Sequence, residues 1–274
     1  MAIDIAVLER GYFYFDKPVP YKLSDTTYIN ITPISVYDSE VFLSSCDILQ
    51  IDKNAFNSVD IIQMTYLDFL FKVMFQLENS EIMFDKFQNI LKLCLGIENW
   101  KIKINEKQKF SIITMDQHFE ITGKQFDDIK RIILYQNIAH YDDSYIDPDL
   151  KKAMADVDML KSKNIDVPNL ERKIAIITAH CGISKQELMK YTIRSLRLLF
   201  EECVGEVEFI TLRPIMLYAG KAKDIEHWVY KKKKDKFDGY ITSVESYNKS
   251  MGGDGIIKQA SSDMTTQINN FVNQ

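Results

Sequence analysis

Between Asp60 and Asn137 the spacing of apolar residues changes from helical to alternating and back, and nothing else in the sequence constrains the fold as much. Ile61, Met64, Leu67, Leu70, Val73, Met74 and Leu77 recur at helical intervals, which predicts one helix over 60–77 with Ser58 as its cap. Met83, Phe87, Ile90, Leu91 and Cys94 form a second stripe that ends at Gly96, the residue type favoured just past a helix. The two stripes predict a helical hairpin. From Trp100 the period is two: Trp100, Ile102 and Ile104 alternate with polar residues, and 110–113 and 119–121 complete three short strands. Phe126, Ile129, Ile132, Ile133 and Asn137 return to helical spacing. The class this predicts is α+β, a small antiparallel sheet with flanking helices.

On either side of this block the signals are coarser. Tyr12, Phe13, Tyr14 and Phe15 precede Pro18 and Pro20, and 26–32 reads as extended, so the first thirty residues predict short strands or an arm. The chain turns polar from Tyr141 to Asn169, with Asp142, Asp143, Asp147, Pro148 and Asp149 close together, which places a domain boundary near residue 150. Leu150, Met154, Val157 and Leu160 share a face and make the connector helical. A helix over 170–180, a turn at Gly182 and a capping box of Ser184 and Glu187 lead into a further helix over 185–203. The expected organisation is an α+β domain over 1–150, a mainly helical second domain over 151–242, and a polar linker with a docking helix over 243–274. In that last segment Met264, Ile268, Phe271 and Val272 share one face, and a helix so short needs that face covered by the body of the protein or by a partner, the partner being the favoured reading.

Charge and composition exclude several classes. The net charge is −5, and residues 1–145 hold 14 basic against 21 acidic side chains while the remainder hold 20 against 18. Neither half is basic enough for binding that rests on phosphate neutralisation, so a nucleic-acid partner is not expected. Asp68 and Lys72 interrupt the best apolar run, leaving no stretch of the roughly 18–20 residues a membrane helix requires. Met1 to Arg10 carries Asp4 and Glu9 and shows no secretory pattern, so the expected location is the cytoplasm. Cys46, Cys94, Cys181 and Cys203 are far apart and form no CxxC, which predicts buried, chemically quiet thiols.

No catalytic, cofactor or metal site is expected. His180-Cys181 are adjacent, but successive helical residues point about 100° apart, and a nucleophilic thiol needs a base brought in by the fold. His118, His140 and His227 are isolated. Gly252-Gly253-Asp254-Gly255 lacks the spacing of a phosphate cradle, and the acidic run from Asp142 to Asp149 lacks the alternation of a calcium loop. Two features remain for recognition. Residues 174–193 have the order of a helix-turn-helix, with Ile177, Ile183 and Leu188 where two packed helices need apolar contacts, although Thr178 and Glu187 suit a DNA-reading head poorly. Lys231, Lys232, Lys233, Lys234 and Lys236 form the one sharp charge run and predict an exposed loop that meets an acidic protein surface.

Three phrases carry a resemblance: IIQMTYLDFL over 61–70, ITGKQFDDIKRIILYQN over 121–137 and YIDPDL over 145–150. They resemble proteins encoded in tail modules of contractile-tailed phages and related prophages, the closest likeness being to baseplate-hub and tail-assembly proteins, including assembly chaperones. The resemblance implies a non-enzymatic role, holding or placing another tail component, with other tail or baseplate proteins as partners, the tape-measure protein among them. It implies residence in the cytoplasm of the host bacterium, with or without incorporation into the virion tail. A tape-measure chaperone, a hub component and a baseplate wedge remain alternatives. A DNA-binding regulator using 174–193 is the second reading, and a cysteine-dependent enzyme the third.

Overall fold

The computed structural model describes residues 3–230 apart from 57, 79, 117, 164–166, 222, 224 and 226, together with Phe237 and Tyr240. Its class is α+β, with two small antiparallel sheets among helices. The chain divides into two compact units, one of 1–148 with 166–225 and another of 149–165 with 226–274.

The first unit opens with helix α1 (Ile5–Gly11), where strands or an arm were expected; the Asp4 carboxylate accepts the free amides of Ala6 and Val7 and so starts a helix. Strands β1 (Val19–Lys22) and β2 (Tyr28–Ile31) follow as a hairpin, with Val19 opposite Ile31. Helix α2 (Ser39–Ser45) packs on α5 (Ser80–Leu95). The latter ends as its sequence predicts: Gly96 takes φ 65°, and its amide donates to the Lys92 carbonyl at 3.0 Å. Strands β3 (Trp100–Ile104), β4 (Phe110–Thr114) and β5 (Glu120–Thr122) form the three-stranded meander expected from the alternation. Helix α6 (Gly123–Asn137) then runs through the centre of the unit. Its first turn is closed by a capping box of Thr122 and Gln125, and Phe126, Ile129, Ile132 and Ile133 are buried in the main core. Each such side chain contributes about 1.5–3 kcal/mol by leaving water.

The single helix expected over 60–77 is instead α3 (Val59–Gln63), a break at Met64 and Thr65, α4 (Tyr66–Lys72) and a short 3-10 turn over Met74–Gln76. The break is held from outside. Lys53 Nζ donates to the carbonyls of Ile62 and Met64, ending α3, while the Tyr66 amide donates to Asp127 Oδ1 at 2.7 Å and Thr65 Oγ1 accepts from the Asp68 amide, starting α4. Ser58 precedes α3 but makes no side-chain cap.

Helix α7 (Pro148–Ser162) lies where the connector helix was expected and carries most of the described residues of the second unit. There the Tyr240 hydroxyl donates to Asp158 at 2.7 Å. Helix α8 (Leu170–Cys181) ends at Gly182 with φ 69°. The Ser184–Glu187 capping box forms as predicted, but the helix it opens, α9 (Lys185–Leu188), is a single turn rather than the start of a helix over 185–203. Thr192 caps a new helix, α10 (Ile193–Tyr218). Between α9 and α10 the chain pairs with residues 34–37: Val36 N–H donates to Tyr191 C=O at 2.8 Å and Ile193 N–H to Ile34 C=O at 3.0 Å. This pairing is why 166–225 belongs to the same unit as 1–148, in place of a separate helical domain over 151–242. Val36 is buried among Ile174, Ile177, Leu188, Leu196 and Cys203, a second small core shared by the two chain segments.

Candidate functional site

The recognition residues read from the sequence, Lys231, Lys232, Lys233, Lys234 and Lys236 together with Met264, Ile268, Phe271 and Val272, lie outside the described residues, as does the glycine run at 252–255. The helix-turn-helix segment is described. Ile177 and Leu188 are buried together as its spacing requires, but Lys185 and Gln186 stand on the one-turn α9, which is short for a helix laid along a major groove.

A cluster of charged groups shifted from their ordinary values by burial lies at the α3/α4 break. Burial lowers Lys53 and brings Lys130 down to about 8, and burial raises Asp127 despite the Tyr66 amide and the two lysines beside it. Lys130 Nζ lies 3.7 Å from the centre of the Tyr66 ring. Shifted groups of this kind are often found at catalytic centres. Here Lys53 and Asp127 are directed at helix-end carbonyls and amides, and the cluster positions α3 and α4. The acidic stretch after α6 is likewise structural in part, since Asp143 accepts from Arg131 and from the Tyr135 hydroxyl at 2.6 Å. His140 and His180 each face one carboxylate on α10, Glu201 at 2.7 Å and Glu206 at 2.9 Å. Among the described residues no group of three or more His, Cys, Asp or Glu gathers to hold a metal ion, and no helix is long and apolar enough to cross a membrane.

A surface with the character of a binding site forms where α5 meets the start of β3. An aromatic ladder runs outward from the core: Phe126 contacts Phe87, Phe87 contacts Trp100 edge to face with centroids 5.6 Å apart, and Trp100 stacks on Phe84 at 5.3 Å. Phe87 is fully buried, Trp100 half-buried and Phe84 38 % exposed. Phe75 closes on Phe84 at 5.8 Å. Open depressions of about 430 Å³ and 280 Å³ lie on either side of Phe84. One is bordered by Phe75, Glu81 and Asp85, the other by Glu98, Trp100 and Met115, with Lys101 the lone cation among the described residues of the two linings. The result is a pair of aromatic walls with a carboxylate rim, fixed on a helix and a strand that are both anchored in the core. It suits an apolar anchor flanked by basic groups.

The sequence contained one signal of this surface that periodicity alone passes over. Phe84 lies three residues before Phe87 and seven before Leu91, a large aromatic at the edge of the apolar stripe where the core face of the helix gives way to its exposed one. The chain matches no protein-family model, no curated protein and no solved structure.

Proposed function

We propose that the protein is a non-enzymatic phage tail or baseplate assembly or structural protein that acts through protein-protein contacts, and that the groove around Phe84 and Trp100 is a surface it uses. The observation that carries this reading is the stacked, partly exposed Phe84–Trp100 pair between two acidic-rimmed depressions. Aromatic side chains held rigid beside a pocket are the usual energetic anchors of protein interfaces. The resemblance of 61–70, 121–137 and 145–150 to tail-module proteins supports the class of partner: other tail or baseplate proteins, the tape-measure protein among them. The acidic rim supports a partner segment with basic residues beside an apolar anchor. On this reading the protein works in the cytoplasm of the host bacterium, and a hub or wedge component would stay in the virion tail while a chaperone would leave.

The test is affinity purification of the full chain from the producing cell, with mass spectrometry of what is retained, alongside F84A. The expected result is that tail proteins are retained by the natural sequence and that F84A weakens retention about 30-fold or more, the effect of removing an anchor contributing about 2 kcal/mol. Phe84 is partly exposed but packs on Trp100 and Phe75, so F84A should lower the melting temperature by about a few degrees and leave the protein folded. Retention of DNA or of a small substrate in place of tail proteins would overturn the function. Tail proteins recovered equally by F84A would overturn the surface.

A further inference from the structure

The expected burial holds for Cys46, Cys94 and Cys203 and fails for Cys181, which is exposed. Cys181 is the last residue of α8, and Cys203 faces it from α10, the helix packed against α8. Although 22 residues separate them in sequence, their sulfurs are 3.5 Å apart, close enough for one thiol to donate to the other. The sequence conceals the pair because two residues at this separation meet only if the chain turns back twice, once at Gly182 and again between α9 and α10.

We infer that Cys181 and Cys203 form a dithiol site that exchanges with low-molecular-weight disulfides of the glutathione type and is thereby converted to an intramolecular disulfide. The exposed sulfur reacts first. The Cys181 thiolate attacks one sulfur of the small disulfide, the disulfide bond of that reagent breaks, and one small thiol leaves with a proton from solvent. Cys203 then loses its proton and attacks the Cys181 sulfur, expelling the second small thiol. Two protein thiols are oxidised and one small disulfide is reduced to two thiols, so atoms and electrons balance. The sulfur separation has to shorten from 3.5 Å to about 2.0 Å, a displacement within reach of side-chain torsion because α8 and α10 already pack together.

The surroundings set the pace. Cys181 lies at a helix C-terminus, where the peptide dipoles disfavour an anion. Burial, with the neighbouring Cys181 and Glu206 adding to it, pushes the Cys203 thiol up to about 11. Neither position is built for rapid attack in the manner of a catalytic thiol. Exchange is therefore expected over the minutes to hours of uncatalysed disulfide chemistry, with the proximity of the second thiol deciding the end product.

The test uses the full-length reduced protein equilibrated in glutathione buffers of rising oxidised fraction, quenched in acid, alkylated and digested for mass spectrometry. A peptide cross-linked through Cys181 and Cys203 is expected to accumulate while both alkylated forms disappear, with Cys46 and Cys94 remaining thiols that alkylate only after denaturation. C203A should stop at a glutathione adduct on Cys181. C181S, changed at an exposed position that leaves the packing intact, should give neither adduct nor cross-link and should lose the binding of phenylarsine oxide, which needs two adjacent thiols. The inference is overturned if the natural protein accumulates the Cys181 adduct without the cross-link, or if Cys181 stays unmodified across the whole series.

Discussion

Asp68 shows how one residue can mean different things in sequence and in space. Along the chain it is the charge that interrupts an apolar run; in the fold it is fully buried in the main unit. Its Oδ1 accepts the Phe110 amide at 2.8 Å, and its Oδ2 accepts the Lys109 ammonium at 3.1 Å. Burial alone would raise the carboxyl, but the amide and the ammonium outweigh it and hold Asp68 below the usual carboxylate range. Lys109 is half in water, so the Phe110 amide is the firmer partner. A carboxyl depressed in the folded state stabilises above its unfolded-state pKa, and that stability is lost as pH falls through its folded value. Urea denaturation across an acidic pH series should therefore show the natural protein losing stability more steeply than D68N. At neutral pH D68N should be weaker by about 1–3 kcal/mol, because the Phe110 amide and Lys109 lose their charged acceptor. Parallel pH profiles for the two proteins would exclude this role for Asp68.

At the scale of elements, α4 and α6 begin against one another. Thr65, which caps α4, lies so close to Gly123, the first residue of α6, that a Cβ there would sit 2.5 Å from Thr65 Oγ1 and 2.9 Å from its Cβ. Alanine favours a helix over glycine by up to about 1 kcal/mol. Forcing overlap into a packed site costs about 1–3 kcal/mol. Thr65 cannot rotate away without giving up the Asp68 amide, so the overlap should win, and G123A is expected to destabilise by about 1–2 kcal/mol. Combining G123A with T65A should cost less than the sum of the two single changes, which a double-mutant cycle by chemical denaturation measures; strict additivity would show that the contact carries no strain. The same junction explains why the apolar stripe of 60–77 is not one helix. The apolar residues from Ile61 to Leu77 are spaced as a helix needs, and the groups that divide the stripe, Lys53 and Asp127, belong to other parts of the chain.

For the molecule as a whole, the consequential finding is that 166–225 returns to the unit begun by 1–148. Besides the pairing of 34–37 with the segment after α9, Thr192 Oγ1 donates to Asp16 at 2.7 Å, and Arg194 reaches both the Tyr135 carbonyl and Glu9. Ile193 is buried in the same core as Phe13 and Phe126. A chain ending at residue 148 would lose all of these and expose the apolar side chains that α10 covers. Its thermal midpoint by circular dichroism should lie about 10 °C or more below that of the full chain, the shift expected from losing several kcal/mol at this size. A fragment of 1–148 with an unchanged midpoint would mean that the α+β part is a domain in its own right.

What the sequence determined by itself is what depends on neighbours in the chain. The three strands of the meander, the end of α5 at Gly96, the buried face of α6 and the Ser184–Glu187 capping box each need only residues within a few positions of one another, so their patterns are legible before any folding is known. Tertiary structure alone decided the break before α4, the single turn of α9, the meeting of Cys181 with Cys203 and the exposure of Phe84 beside Trp100. In each case the deciding partner comes from a segment that periodicity does not connect, because period and propensity describe one element at a time, whereas a helix end, a thiol pair or a groove is completed by whatever surface another element brings to it.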